Sequence, residues 1–179
     1  MKIVKLLAGA ACAATMLLSS VAHADVKQWV LSGVTFNDGG TLTGNFATDS
    51  VTGGLLSFDL TTTAGTIRDG FHYNAASSSL LGNNLTGANS FLIINNSPWA
   101  KPYLNLRFDA ALTAATTSTT VQHGDMDGNG SWECTNCDNI RFVTAGVVTA
   151  VPEPETYAML LGGLGLVGVA ARRRERKAV

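Results

Sequence analysis

Polar and apolar residues alternate with a period of two along most of the middle of the chain, the signature of half-buried β-strands. In QWVLSGVTF, residues 28–36, strict alternation places Trp29, Leu31, Gly33 and Thr35 on one face and Val30, Val34 and Phe36 largely on the other. NDGG follows, a hairpin turn in which glycine supplies positive φ. TLTGNF turns Leu42, Gly44 and Phe46 to one side. LLSFDLTTT turns Leu56, Phe58 and Leu60 against Ser57, Asp59 and Thr61. Residues 64–90 hold only short strand pieces, around Phe71 to Tyr73 and Leu80-Leu81. SFLIIN is continuously apolar and reads as a central or doubly covered strand. NSPWAKP is a loop set by Pro98 and Pro102, and YLNLRFDA, TSTTVQH and NIRFVTAGVVTA complete the set. About eight to ten strands at spacings near ten residues predict an all-β fold, a single antiparallel β-sandwich or open barrel. No stretch of this region carries a helical stripe, and no repeat of solenoid length is present.

The two ends break this pattern. Residues 1–24 read as a signal peptide, with Lys2 and Lys5 in front of an apolar run from Leu6 to Leu18. Ala22-His23-Ala24 is the cleavage site, so the mature chain begins at Asp25 and its first partners are the Sec translocon and signal peptidase. Residues 25–150 form the β-rich secreted domain, and residues 151–179 form a tail of different character. Tyr157 to Ala171 is uncharged, and its 15 residues would make a short transmembrane helix of about 22 Å. A hydrocarbon core is about 30 Å thick. Arg172, Arg173, Arg174, Arg176 and Lys177 follow and hold the C-terminus on the cytoplasmic side; their long stems extend the effective span. Pro152 and Pro154 keep the approach extended, which suits a processing enzyme.

Val151-Pro152-Glu153-Pro154, the glycine-rich run from Gly162 to Leu166, and the arginine end stand in that order. Together with an N-terminal signal they resemble the PEP-CTERM sorting signal of Gram-negative bacteria. The resemblance implies recognition of the tail by an exosortase, a membrane protease-transpeptidase, and its removal after a membrane-bound intermediate, much as a GPI signal is removed. A permanent anchor is the plainer reading of the same topology. A second, weaker resemblance covers the first hairpin. Gly33, Phe36, Asp38, Gly39, Gly40, Gly44 and Phe46 look like the opening of many PEP-CTERM ectodomains, and imply no activity.

Composition narrows the function. The secreted domain carries five Lys or Arg against ten Asp or Glu, a net charge of −5. An acidic domain without a basic cluster argues against nucleic acid. Aromatic residues spread along the whole domain argue for a folded core rather than disorder.

The stretch with the most chemical potential is HGDMDGNGSWECTNCD, residues 123–138. Asp125, Asp127, Asn129 and Gly130 fit the first half of a calcium loop, and Glu133 falls at its ninth place, but Asn136 stands where the bidentate glutamate belongs. A plain Asp-Gly-Asn-Gly hairpin loop is the simpler reading. Cys134 and Cys137 are the cysteines left once Cys12 goes with the signal peptide, and export makes a disulfide the expectation. So short a loop gains about 2 kcal/mol from chain entropy.

Catalysis has no pattern behind it: His72 and His123 are the histidines of the secreted domain, and neither a nucleophile elbow nor an H-E-x-x-H is present. The expectation is a non-enzymatic structural or adhesive protein of the cell surface or extracellular matrix. The link to exopolysaccharide and biofilm comes from the resemblance. A carbohydrate-binding module or weak glycan-acting enzyme is the alternative, with Trp99 as the stacking candidate.

Overall fold

The computed structural model describes residues 25–82, 88–97, 101–152, 157 and 160–167. Ten strands form among the described residues: β1 (Val26–Phe36), β2 (Thr41–Asp49), β3 (Leu55–Thr62), β4 (His72–Asn74), β5 (Ser78–Gly82), β6 (Ser90–Asn95), β7 (Pro102–Arg107), β8 (Ser118–Thr120), β9 (Trp132–Thr135) and β10 (Asp138–Ala150). All are antiparallel, in the order β4-β3-β2-β1-β10-β9-β7-β6-β5, with β8 added on β10. The outer strands β4 and β5 follow each other in the chain with residues 75–77 between them. The sheet therefore curls into a nearly closed barrel, as the strand spacing predicts. Closure hides most of the unpaired backbone that open sheet edges expose.

β10 holds the two halves together. Its first residues pair with β9 and its last with β1 and β8. Gly146 lets it bend there: its φ is +150°, and a Cβ would lie 2.6 Å from Val34 Cγ2.

Two strands depart from simple alternation. β1 carries a bulge between Leu31 and Val34, where Gly33 has φ +62°. The extra residue shifts the phase, so Trp29, Leu31, Val34 and Phe36 all face inward. This corrects the two-face division expected for β1. β3 has an irregularity opposite Ala47 and Thr48, which leaves Leu56 55 % exposed rather than inward. SFLIIN is also not doubly covered: Phe91 and Ile93 are buried, while Leu92 and Ile94 are half-buried on the outer face. In β7 Leu104 and Leu106 are fully buried, as is Phe108 just beyond it, and Asn105 between the two leucines is buried as well.

The core has two parts. Trp29, Phe46, Phe91 and Phe108 form an aromatic cluster with ring centroids 5.1–6.4 Å apart. Each such buried ring contributes about 1.5–3 kcal/mol by leaving water. Trp29 Nε1–H donates to Thr48 Oγ1 (2.8 Å), whose hydroxyl donates to Leu112 O (3.0 Å), so the ring brings no unpaired donor into the core. The second part, around Phe36, is charged and belongs with the site below.

Of the helix expected from Tyr157 to Ala171, the described residues 157 and 160–167 are helical and exposed. No helix among the described residues is long and apolar enough to cross a membrane. The signal segment, with Ala22 and Ala24, lies outside the described residues.

Candidate functional site

Two regions carry the chemistry that the sequence singles out: the start of the tail, and the loop and hairpin of residues 123–142.

The tail leaves the barrel without a spacer. Ala150 is the last residue of β10, and its N–H donates to Thr117 O (2.8 Å). Val151 N–H still donates to Gln28 O on β1 (2.8 Å). Pro152 has no N–H to offer, so the ladder must stop there. Val151 and Pro152 are exposed. Lys27 pins the adjoining loop: its Nζ donates to the carbonyl oxygens of Thr113 (3.0 Å), Ala114 (2.8 Å) and Thr116 (2.5 Å), and sits 5.0 Å from the Trp29 ring centroid. Glu153, Pro154, Arg172, Arg173, Arg174, Arg176 and Lys177 lie outside the described residues.

In the second region Asp125 organises its own loop. Its carboxylate accepts from the backbone N–H of Asp127 (3.0 Å) and Asn129 (3.1 Å) and from Asn129 Nδ2 (3.1 Å). These bonds, the Asn129 side chain first, hold its carboxyl below the usual aspartate range. Gly128 and Gly130 have φ of +80° and +66°, and a Cβ on Gly130 would lie 1.8 Å from His123 O. The loop is fastened to β7 by Asn105 Nδ2, which donates to Gly130 O (2.9 Å). The geometry is that of a hairpin loop closed by an aspartate, and no metal-holding group forms among the described residues.

Glu133 lies apart from this loop. Directly after Ser131 the chain becomes β9, a strand the alternation does not announce, and it turns Glu133 into the barrel with no exposure. There its carboxylate faces Arg141 of β10, with Nε at 2.7 Å and Nη2 at 2.6 Å from Oε2. Oε1 accepts from Tyr73 (2.6 Å) and Thr62 (3.1 Å), and Arg68 Nη2 lies 3.6 Å away. Arg141 is equally buried. Its Nη1 donates to Asp38 Oδ2 (3.2 Å) and Thr63 O (2.9 Å), and its guanidinium stacks on Phe36 at 4.2 Å. For Asp38, burial pulls the carboxyl upward, but the Gly40 N–H and Arg141 outweigh it and set it below its usual value. Burial and the neighbouring Glu133 carboxylate push the Tyr73 phenol up, which keeps it a donor. A buried charge needs such partners, because an unpaired one is strongly disfavoured. Glu133 therefore holds the hairpin to the barrel wall and is withdrawn from Asp125 and Asp127.

Cys134 and Cys137 are unbridged in this structure, with their sulfurs 3.1 Å apart. Cys137, Asp125, Met126, Trp132, Ile140 and Phe142 line a groove of about 190 Å³. Met126 is 92 % exposed there, and Trp132 and Phe142 are half-buried. A wider polar cleft of about 480 Å³ opens beside the same loop, with Asp109, Gln122, His123 and Asn129 on its walls. The loop thus stands between an apolar and a polar surface. Sequence reasoning missed Trp132 and Phe142 as partners, because only the β9–β10 pairing, Phe142 against Trp132, sets them side by side. Trp99, the stacking residue expected from the sequence, lies outside the described residues.

No curated protein and no solved structure matches the chain. Its tail does have a match: residues 150–174 fit the family model of the PEP-CTERM protein-sorting motif, which marks this chain as an exported protein of the exosortase-sorted kind.

Proposed function

We propose that the barrel is a non-enzymatic structural or adhesive component of the cell surface or its exopolysaccharide matrix, delivered there by the tail. The observation that carries this reading is the junction: the sorting motif begins at residue 150, the last residue of β10. The folded barrel is the cargo, and everything after it is address. The barrel itself supports the role through its nearly closed sheet and acidic surface, which favour a soluble, durable body. Intact-mass spectrometry of protein recovered from its own host, envelope and medium separately, tests the delivery. The expected mass ends near Glu153-Pro154. A mass that runs on to Val179 makes the tail a permanent anchor and overturns the address reading.

A second reading has its own support. Trp132 and Phe142 in the apolar groove, with Asp109, Gln122 and Asn129 in the polar cleft, offer a sugar both an aromatic face and hydrogen-bonding groups. On this reading the barrel is a carbohydrate-binding module. The expected result is a glycan-array signal that falls at least about tenfold in Trp132→Ala, as loss of one stacking contact near 1.4 kcal/mol implies. An array without signal above background removes the module.

A further inference from the structure

We propose that Cys134 and Cys137 are a redox pair, which closes as a disulfide within the hairpin on export and stays open to reduction from outside. The argument starts from the turn. Asn136 and Cys137 are the two residues between β9 and β10, and Thr135 pairs with Asp138 across them. Both have positive φ, 52° and 59°. A two-residue turn of this shape ordinarily takes Asn-Gly, because both central residues need positive φ and glycine adopts it without steric cost. Asparagine is in its usual place here, and cysteine stands where glycine belongs. A left-handed conformation disfavours any residue with a Cβ, and no backbone hydrogen bond of the turn requires a thiol. What the conformation provides is sulfur placement: Cys134 Sγ donates to Cys137 Sγ across 3.1 Å. A disulfide needs the two about 2.05 Å apart, so closure takes a movement of about 1 Å.

The exposures of the two thiols differ, and this assigns the steps. Cys137 is exposed and Cys134 is buried. The oxidant is an exported carrier that itself holds a disulfide. Cys137 loses its proton to solvent, and its thiolate attacks one carrier sulfur. A mixed disulfide forms, and the carrier's other sulfur leaves as a thiolate. Cys134 then loses its proton and attacks Cys137 Sγ, which breaks the mixed disulfide and expels the second carrier thiolate. Two protein thiols become one disulfide, the carrier disulfide becomes two thiols, and the released protons return to the carrier. Burial pushes the Cys134 thiol up, so the second step waits on a rare thiolate. Its rate therefore rises with pH.

The bond is reducible for two reasons. Its outer sulfur is accessible to an attacking thiol, and exposed or strained disulfides are the labile class. It also spans so few residues that it removes little freedom from the unfolded chain. Cys137 lines the same groove as Trp132 and Ile140, so the redox state is written on the lip of that groove. The inference rests on export alone, and it stands whether or not the barrel binds a glycan.

The test uses the full chain from the envelope of its own host, acid-quenched without reductant, alkylated with iodoacetamide and digested. The peptide holding both cysteines is expected unlabelled and about 2 Da lighter than the dithiol. Millimolar dithiothreitol, applied to the native protein, should then expose two labels. The same chain without its signal peptide, retained in the cytoplasm, should carry two labels from the start. Two labels on the exported chain without reductant overturn the proposal, and one label overturns the pairing. A bond that yields only after denaturation overturns its lability.

Discussion

A Glu133→Gln chain should unfold about 3–5 kcal/mol more readily than the wild type, because the change leaves a buried guanidinium without its main counter-charge. Arg141 is fully buried, and Glu133 supplies the two shortest contacts to it, at 2.6 and 2.7 Å. Asp38 touches only the other arm of the guanidinium, at 3.2 Å. Arg68, whose Nε and Nη1 are already buried without a partner among the described residues, would lose its ion pair with Glu133. A barrel of this size has about 5–15 kcal/mol to lose in all, so the variant should shift the urea midpoint far toward zero. A loss below about 1 kcal/mol would mean that water reaches the cluster and screens it, and the description of a dry ion network would fail.

Gly44→Ala should cost at least about 3 kcal/mol, by backbone strain and a clash together. Gly44 sits in mid-strand with φ +127°, and a Cβ there would lie 2.1 Å from Asp59 O and 2.9 Å from Leu60 Cα on β3. Neither atom can move without breaking the β2–β3 ladder. Gly39→Ala is the control. Its φ of +86° carries the conformational penalty, but nothing lies within 4 Å of its Cβ, so it should cost only about 1–2 kcal/mol. Urea titrations of the two variants separate strain from clash, and equal losses would remove the clash from the account.

These residues show what was legible in the sequence. The sorting tail could be read because its signal is the order of a motif, an apolar run and a basic end, none of which needs a tertiary contact. The all-β class was legible from period two. Phase was not, because one bulged residue in β1 moves Val34 and Phe36 to the face of Trp29, and a bulge is decided by pairing with β2 and β10. The burial of Glu133 was not legible, because nothing local marks a carboxylate as buried. Its partners Arg141, Tyr73 and Thr62 are distant in sequence or on other strands. The weak pattern of the first hairpin now has a physical content. Phe36 and Asp38 hold Arg141, Gly40 leaves room for its Nη1, and Gly33, Gly39 and Gly44 occupy backbone conformations that favour glycine. The pattern describes a socket for an arginine more than a hundred residues away.

β10 also gives the molecule a direction. It is 13 residues long, up to about 40 Å from end to end at a strand's rise. The thiol hairpin stands before its first residue and the sorting tail begins at its last. β1 runs antiparallel beside it, so the start of the secreted domain and its exit share one pole. A surface that holds this protein by its C-terminal end leaves the opposite pole, with the cysteines and the tryptophan groove, pointing away from the cell. On the proposed surface location the strand would act as a mast, and what it carries at its tip would be the part that meets the outside first.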